Sequence, residues 1–423
     1  MIKVFKFGGA SVKNADAIKN VATIIGMHRE QPLIIIVSAM GKTTNALEEV
    51  VTALLDNPLL LQEKLAVIKQ FHLTIAQDLG FEKNHTIYGE IENVCTEIAW
   101  IDPADAYRGR AFIYDQIVCQ GEILSTKIIS AYLSKVGIQH HWLDARDFIL
   151  TDTNYRDAKV DWERTQQKIK THCLPLLNEV PLAITQGFIG ATADNFSTTL
   201  GREGSDYSAA IFSYCLDAAT MTVWKDVPGV LSADPKYFSD AIKLEQLSYH
   251  DAIELTYYGA TVIHPKTIKP LENKAIPLWV KSFNAPQDKG TQIGNFSTTK
   301  PLVPSFIFKP NQMLISISAK DFAFIAEEHL SQLFNILANF RIKINLMQNS
   351  AISFSICIDH DADKTAMLIT TLQKDFKILY NSQLQLITVR HYYPSTIEQL
   401  IKGRTIIIEQ RSRHTAQLVV KEG

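Results

Sequence analysis

Cysteine is scarce in this sequence: five residues among 423, Cys95, Cys119, Cys173, Cys215 and Cys357, odd in number and without a Cys-x-x-Cys spacing. That excludes a disulfide framework and a thiolate metal site, and predicts reduced, mostly buried thiols. Histidines do not fall at metal spacing either, since His140 and His141 are adjacent and His264 precedes Pro265 in a turn. No apolar run reaches the roughly 18 residues of a membrane span. The short apolar start is interleaved with lysines and lacks the architecture of a secretory signal. Charge of one sign is lacking too: 42 Lys and Arg offset 44 Asp and Glu, for a net charge of −2. Near-neutrality argues against nucleic acid as a main partner. A soluble cytoplasmic protein is expected, with neither membrane nor nucleic acid as partner, and 423 residues support more than one core.

Glycine-rich turns stand where phosphate chemistry needs them, though in neither P-loop nor dinucleotide spacing. Ile2 to Phe7 alternates as a strand should and runs into Gly8-Gly9-Ala10-Ser11, which lets backbone approach phosphate closely. Lys6 points the opposite way from Phe5 and Phe7, toward the mouth of the strand where ligands bind in open α/β sheets. A plain hairpin turn is the alternative. Leu33 to Val37 is apolar on both faces, as a central parallel strand should be, and ends in Ser38-Ala39-Met40-Gly41-Lys42-Thr43-Thr44. Capping of a helix by Thr43 or Thr44 explains that turn as well as a ligand does. From Thr198 to Ala210 a glycine turn, Arg202 and Asp206 open an apolar helix whose free N–H groups and dipole stabilise an anion. Arg202 suits a carboxylate or phosphate, and Asp206 a lysine or a metal. A polar loop with Ser205 or Asp206 as N-cap is the other reading.

Lys6 to Val12, Val37 to Thr44 and Gly201 to Ala210 occur together and in order, and in that combination the chain resembles the aspartate kinases. Agreeing segments are Gln120 to Ser125, Asp144 to Asp147, Thr185 to Gly190, Trp224 to Val230 with Ala233-Asp234-Pro235, and Tyr258 to Pro265. The match runs from Met1 to about Ile293.

The resemblance implies ATP-dependent phosphorylation of the L-aspartate β-carboxylate to 4-phospho-L-aspartate. That is the entry step to lysine, threonine, methionine and diaminopimelate. The implied fold is α/β, an αβα sandwich with a mostly parallel central sheet (the amino-acid-kinase fold), followed by a C-terminal α+β ferredoxin-like region of ACT type. Carried over residue by residue, Lys6 stabilises the transferred phosphoryl group and Asp206 organises that lysine. ATP and phosphate fall to Gly8, Gly9, Ser11, Lys225, Asp226, Leu231 and Lys236. Aspartate falls to Ser38, Thr44, Glu122, Phe188, Arg202 and Ser205, with Glu122 on the α-ammonium; a solvent-facing helix carboxylate is the alternative for Glu122. Mg²⁺ is expected to arrive with the ATP phosphates, without a dedicated protein cage.

Three departures from the family pattern stand out. Glu203 replaces a common glycine and is unfavourable beside phosphate unless it points outward. Lys225 stands where many relatives have threonine, and Thr261 where many have lysine. Lys225 is expected to supply the charge that Thr261 lacks.

Asn45 to Leu133 is dominated by helical periodicity. Residues 1–296 read as the catalytic domain, with a linker marked by Ser297, Pro301 and Pro304. Residues 305–423 read as the ACT-type region: strands at 313–317, 342–346, 353–358 and 384–389, with helices at 330–340 and 365–374, make a fuller module at about 311–382. A second, abbreviated module follows, with strands at 405–408 and 416–420 and little helix.

The resemblance implies a homodimer and an end-product effector, lysine or threonine, with Ser318 and Asn345 as candidate contacts. Asn345 stands where lysine-sensitive relatives tend to have aspartate, and Glu328-His329-Leu330 replaces a more usual Gly-Phe-Leu turn. A dimerisation module without an effector is the alternative. No dinucleotide-binding domain follows, so the downstream dehydrogenase is expected to be another protein. Two other readings carry less: another kinase of the superfamily, acting on glutamate, acetylglutamate or a nucleotide, and a catalytically silent amino-acid sensor.

Overall fold

The computed structural model describes residues 1–28, 30–260, 263–321 and 324–422. Two compact units emerge: Met1–Val230 with Lys243–Ile253 and Val262–Thr299, and Leu231–Ile242 with Glu254–Thr261 and Lys300–Gly423.

Among the described residues the first unit is built on an eight-stranded sheet. Its strands are β1 (Lys3–Phe7), β2 (Leu33–Val37), β3 (His141–Leu143), β4 (Leu182–Gln186), β7 (Thr220–Lys225), β8 (Gln246–Ser248), β9 (Leu278–Ser282) and β10 (Thr291–Gly294), with the small hairpin β5 (Ile189–Ala191) and β6 (Ser197–Thr199) apart. Spatial order is β3-β4-β2-β1-β7-β9-β10-β8, and every pairing is parallel except β9 with β10. All five residues of β2 are buried, as a strand covered on both faces requires.

On β1 the alternation separates two environments. Phe5 and Phe7 pack on Trp224 of β7, with ring centroids 5.5 and 6.0 Å away, while Lys6 between them faces the helix Gly204–Cys215. Burying one such aromatic ring contributes about 1.5–3 kcal/mol, so the register that turns Lys6 the other way is strongly specified.

The chain moves outward from β1 on the β2 side and later returns to β1's other flank as β7. That reversal is a topological switch point, where a crevice opens beyond the carboxyl ends of the strands. Helices Thr43–Asp56, Leu61–Asp78, Thr86–Ala99, Arg110–Val118 and Gln120–Lys135 fill the long helical stretch and bury their apolar positions in the same core.

The second unit holds a six-stranded antiparallel sheet in the order β12-β13-β11-β14-β16-β15: β11 (Ser305–Ala319), β12 (Ile344–Asn349), β13 (Ser353–Asp359), β14 (Phe376–Arg390), β15 (Arg404–Arg411) and β16 (Thr415–Glu422). With helices Glu327–Asn339 and Ala362–Leu372, the first four strands make the expected βαββαβ ferredoxin-like arrangement.

Two features differ from the sequence reading. Strands β11 and β14 are fifteen residues each, far longer than the 313–317 and 384–389 read from sequence. Pro310-Asn311 looks like a break, but the ladder absorbs it as a bulge: register shifts occur between Lys309 and Gln312, and Asn311 takes φ 54°. The abbreviated segment also contains a helix, Pro394–Ile401, whose Ile397 and Leu400 pack on Ile387, Val389, Leu418 and Val420.

Candidate active site

Strands β4, β2, β1 and β7 are neighbours and parallel, so their carboxyl ends open onto one edge of the sheet. Residues at or just beyond those ends, Gly9, Ser38, Phe188 and Lys225, line a cavity of about 550 Å³ together with Lys6, Thr44, Glu122, Arg202, Ser205 and Asp206. That size suits a small-molecule site. The loops approach backbone to backbone. A Cβ on Gly9 would stand 2.8 Å from the Ala39 carbonyl oxygen, and one on Gly187 2.6 Å from Cβ of Ser205. Glycine at both positions is therefore a packing requirement.

Lys6 Nζ lies 2.6 Å from Asp206 Oδ1, and Lys225 Nζ is 3.8 Å from Asp206 Oδ2. Asp206 is buried in the first turn of its helix. Burial pushes its carboxyl up, but the two lysine charges and the Lys6 hydrogen bond outweigh it and hold the group below the ordinary carboxylate range. Two cations on one carboxylate leave net positive charge facing the cavity, which suits phosphate.

Glu122 sits in the first turn of Gln120–Lys135, buried, with Oε1 accepting from the Ala39 N–H at 3.3 Å and Oε2 buried without a hydrogen-bond partner. Burial raises its pKa to about 8, against the smaller opposing pull of the Ala39 hydrogen bond and Lys6. A carboxyl so placed ionises readily only when a cation arrives beside it. The solvent-facing alternative for Glu122 is not what the structure shows.

Glu203 does not turn outward, contrary to the condition set from the sequence. It lines the cavity, and its Oε2 is buried with no hydrogen-bond partner. Desolvation raises its pKa; Lys225 pulls the other way. Glu203 is also the N-cap of Gly204–Cys215, at φ 55° and without a side-chain cap, so neither Ser205 nor Asp206 caps that helix. Phe188 and Arg156, both at φ 70°, line the same cavity. Each non-glycine side chain in that left-handed region costs on the order of 1 kcal/mol, and such residues cluster at functional sites.

Other sequence candidates fall elsewhere. A Cβ on Gly8 would stand 3.3 Å from Lys6 Nζ, placing that backbone beside the cavity without lining it. Ser11 is buried and donates its hydroxyl to the Trp224 carbonyl at 3.3 Å. Asp226 is exposed just past β7 and does not line the cavity. Leu231 and Lys236 belong to the second unit, where the Lys236 N–H donates to Asp234 Oδ1 at 2.9 Å. Thr261 lies outside the described residues.

In the second unit, among the described residues, the Ser318 hydroxyl donates only to the Lys377 carbonyl, at 3.5 Å. Asn345 is buried in a network of its own. Its amide donates to Gln312 Oε1 at 2.8 Å and Asp359 Oδ1 at 2.9 Å, and its oxygen accepts from Lys309 Nζ at 2.8 Å. Both N–H donors are thus already used within the module.

Tyr114 and Arg156 line the cavity and were not found from sequence. Arg156 comes from a loop with no glycine signature, and only the fold brings it to Tyr114.

The architecture and cavity fit one class of protein: residues 1–282 match the amino acid kinase family. The chain is 32% identical over 358 residues to the lysine-sensitive aspartokinase 3 of Escherichia coli strain K12, covering 85% of this chain and 78% of that protein. The structure matches E. coli aspartokinase III in complex with aspartate and ADP at a TM-score of 0.84 and 28% identity, covering 99% of this chain and 96% of the other. It matches the same enzyme with lysine and aspartate at 0.83 and 28% identity, covering 99% and 95%. The chain belongs to the amino acid kinase family, among its aspartokinases.

Proposed function

We infer that this enzyme transfers the γ-phosphoryl group of ATP to the β-carboxylate of L-aspartate. The observation that carries this reading is one cavity joining the Lys6–Asp206–Lys225 cluster to a buried, half-partnered Glu122. The first suits a transferring phosphoryl group and the second a substrate ammonium. The E. coli relative solved with aspartate and ADP supports the pairing of substrates.

A β-carboxylate oxygen attacks the γ-phosphorus, the bond from that phosphorus to the ADP oxygen breaks, and an acyl phosphate forms. A carboxylate needs no general base, so positioning and electrostatics carry the rate. In this reading Lys6 and the Gly8 and Gly9 amides neutralise the moving phosphoryl charge, and Asp206 aims Lys6. Glu122 holds the α-ammonium and Arg202 a carboxylate, with Ser38, Thr44, Phe188 and Ser205 completing the aspartate side. Lys225, at the end of β7, serves the nucleotide phosphates, with Asp226 next to it.

Mg²⁺ supplies charge neutralisation on the phosphates when bound. The donor set fits a metal carried by the nucleotide, because Asp206 is committed to its lysines and the other two carboxyls that line the cavity, Glu122 and Glu203, each have a pKa raised by burial. We assign residues 1–296 to catalysis and 305–423 to an ACT-type regulatory region in a cytoplasmic homodimer. Lysine or threonine is its effector, a reading supported by the lysine sensitivity of the E. coli relative.

The test is ADP release from ATP and Mg²⁺ with L-aspartate, L-glutamate and acetylglutamate in parallel, trapping acyl phosphate as hydroxamate. Hydroxamate is expected with aspartate alone, stopping on chelation of Mg²⁺ and returning when it is restored. Folded protein without aspartate-dependent hydroxamate would overturn the reading. For Lys225, a Lys225→Met variant is expected to raise the KM for ATP about tenfold, as loss of one charge-assisted phosphate contact should. Unchanged ATP affinity and turnover would remove Lys225 from the nucleotide site.

A further inference from the structure

Of the three left-handed non-glycine residues described as lining the cavity, Phe188 and Glu203 sit in segments already singled out in sequence, but Arg156 does not. Its backbone is held in place. The Arg156 N–H donates to both oxygens of the buried Asp115 carboxylate, at 3.2 and 3.0 Å. Asp115 also accepts from the Thr199 N–H at 2.9 Å and the Thr199 hydroxyl at 2.7 Å. The Arg156 carbonyl oxygen is 3.3 Å from where a Cβ on Gly201 would stand, so this residue abuts the turn that carries Arg202.

The side chain is oriented as well. Its guanidinium lies over the Tyr114 ring, 4.1 Å from the centroid, and the Tyr114 hydroxyl donates to Glu48 Oε1 at 2.8 Å. Glu48 follows Thr44 by one helical turn, on the same face. Stacking fixes the plane of a guanidinium while leaving its edge N–H donors able to bind an anion. Among the described residues none hydrogen-bonds that edge.

We propose that Arg156 is a second binding group for the amino-acid acceptor, its guanidinium taking the α-carboxylate of aspartate in concert with Arg202. The assignment rests on the aspartate-kinase reading above. Aspartate carries two carboxylates and one ammonium. The β-carboxylate must stay available to attack near Lys6, and the ammonium belongs with Glu122. The α-carboxylate shares a carbon with that ammonium, so it falls on the Glu122–Thr44 side, where Tyr114 holds Arg156. Arg202 is exposed on a turn, and the clamped, stacked Arg156 adds a preorganised partner.

The test compares wild-type enzyme with Arg156→Lys, Arg156→Ala and Arg156→Gly, using full-length protein with ATP and Mg²⁺. Substrates are L-aspartate and its α-carboxamide, which keeps the ammonium and β-carboxylate. All three variants are expected to raise the KM for aspartate ~10–100-fold while the KM for ATP stays within about twofold. Arg156→Ala should lose most of the wild-type preference for aspartate over the α-carboxamide. Glycine accepts the left-handed backbone, so Arg156→Gly should melt at or above the wild-type temperature and still bind aspartate poorly. An active wild type with an Arg156→Gly variant of unchanged KM overturns the assignment alone, as does equal loss on both substrates. A wild type without aspartate-dependent turnover overturns the functional reading and this assignment with it.

Discussion

Lys6→Met lowers kcat by about a thousandfold, the loss typical when one preorganised transition-state charge is removed, while the protein still folds. The variant keeps the length and apolar stem of the side chain, and Lys225 remains 3.8 Å from Asp206, so the buried carboxylate is not left without a cation. Stability does fall, because the 2.6 Å Lys6 contact is part of what depresses Asp206. The sign follows from linkage: a group whose folded pKa is depressed contributes stability above its unfolded pKa and loses it as pH falls through the folded one. The contribution is therefore fully present at pH 7 and fades only in acid below 3.8. Steady-state kinetics with thermal melts at pH 7 and in acid check both parts. A variant retaining more than a tenth of wild-type kcat would take Lys6 out of the phosphoryl site.

Glu122→Gln shows the opposite coupling, a gain in stability with a loss of binding. Below 4.5 the Glu122 carboxyl is protonated in folded and unfolded protein alike. Between 4.5 and about 8 the unfolded chain releases a proton that the folded one keeps, so wild-type stability falls as pH rises and levels off above 8. At ~1.4 kcal/mol per pH unit the bound is roughly 5 kcal/mol, and an amide without charge avoids most of it. Ligand-free Glu122→Gln is thus expected to be more stable than wild type at pH 8 by about 2 kcal/mol, and nearly equal at pH 5. Aspartate affinity should drop about a hundredfold in the variant, consistent with loss of a buried charge partner. In wild type, protons compete with the ammonium, so affinity should weaken by up to about tenfold per pH unit below 8; in the variant it should be flat. Urea melts at both pH values and calorimetric titration of aspartate measure this. A variant less stable than wild type at pH 8 would mean that Glu122 is ionised and partnered without substrate.

What was legible in the sequence was local and one-dimensional. Alternation on Lys3–Phe7 sets the face of Lys6, and a wholly apolar Leu33–Val37 announces a central strand; both appear as read. Lys6, Glu122, Arg202 and Asp206 converge because each lies in a motif at the end of a strand or the start of a helix. Arg156 and Tyr114 carry no such marker. They meet because Asp115, one residue beyond Tyr114, reaches across to the loop of Arg156, a juxtaposition that periodicity cannot encode. The strand read at 313–317 runs back through Pro310 to Ser305, because a bulged ladder tolerates proline. The Asn345 position invited a ligand contact, but its amide is spent on Gln312 and Asp359. Charge alone set an outward Glu203 as the condition for phosphate nearby, and the nearby lysines make its inward position tolerable.

The length of β11 and β14 has an evolutionary consequence. Each passes from the cluster around Ile315 and Leu333 to the one around Ile387 and Val389, and the two are paired along nearly their whole course. The abbreviated segment that ends in β15 and β16 therefore shares its backbone with the fuller module. A cassette joined by a linker can be shuffled or deleted at little cost to its neighbour. Two modules threaded on the same pair of strands must be inherited, folded and lost together.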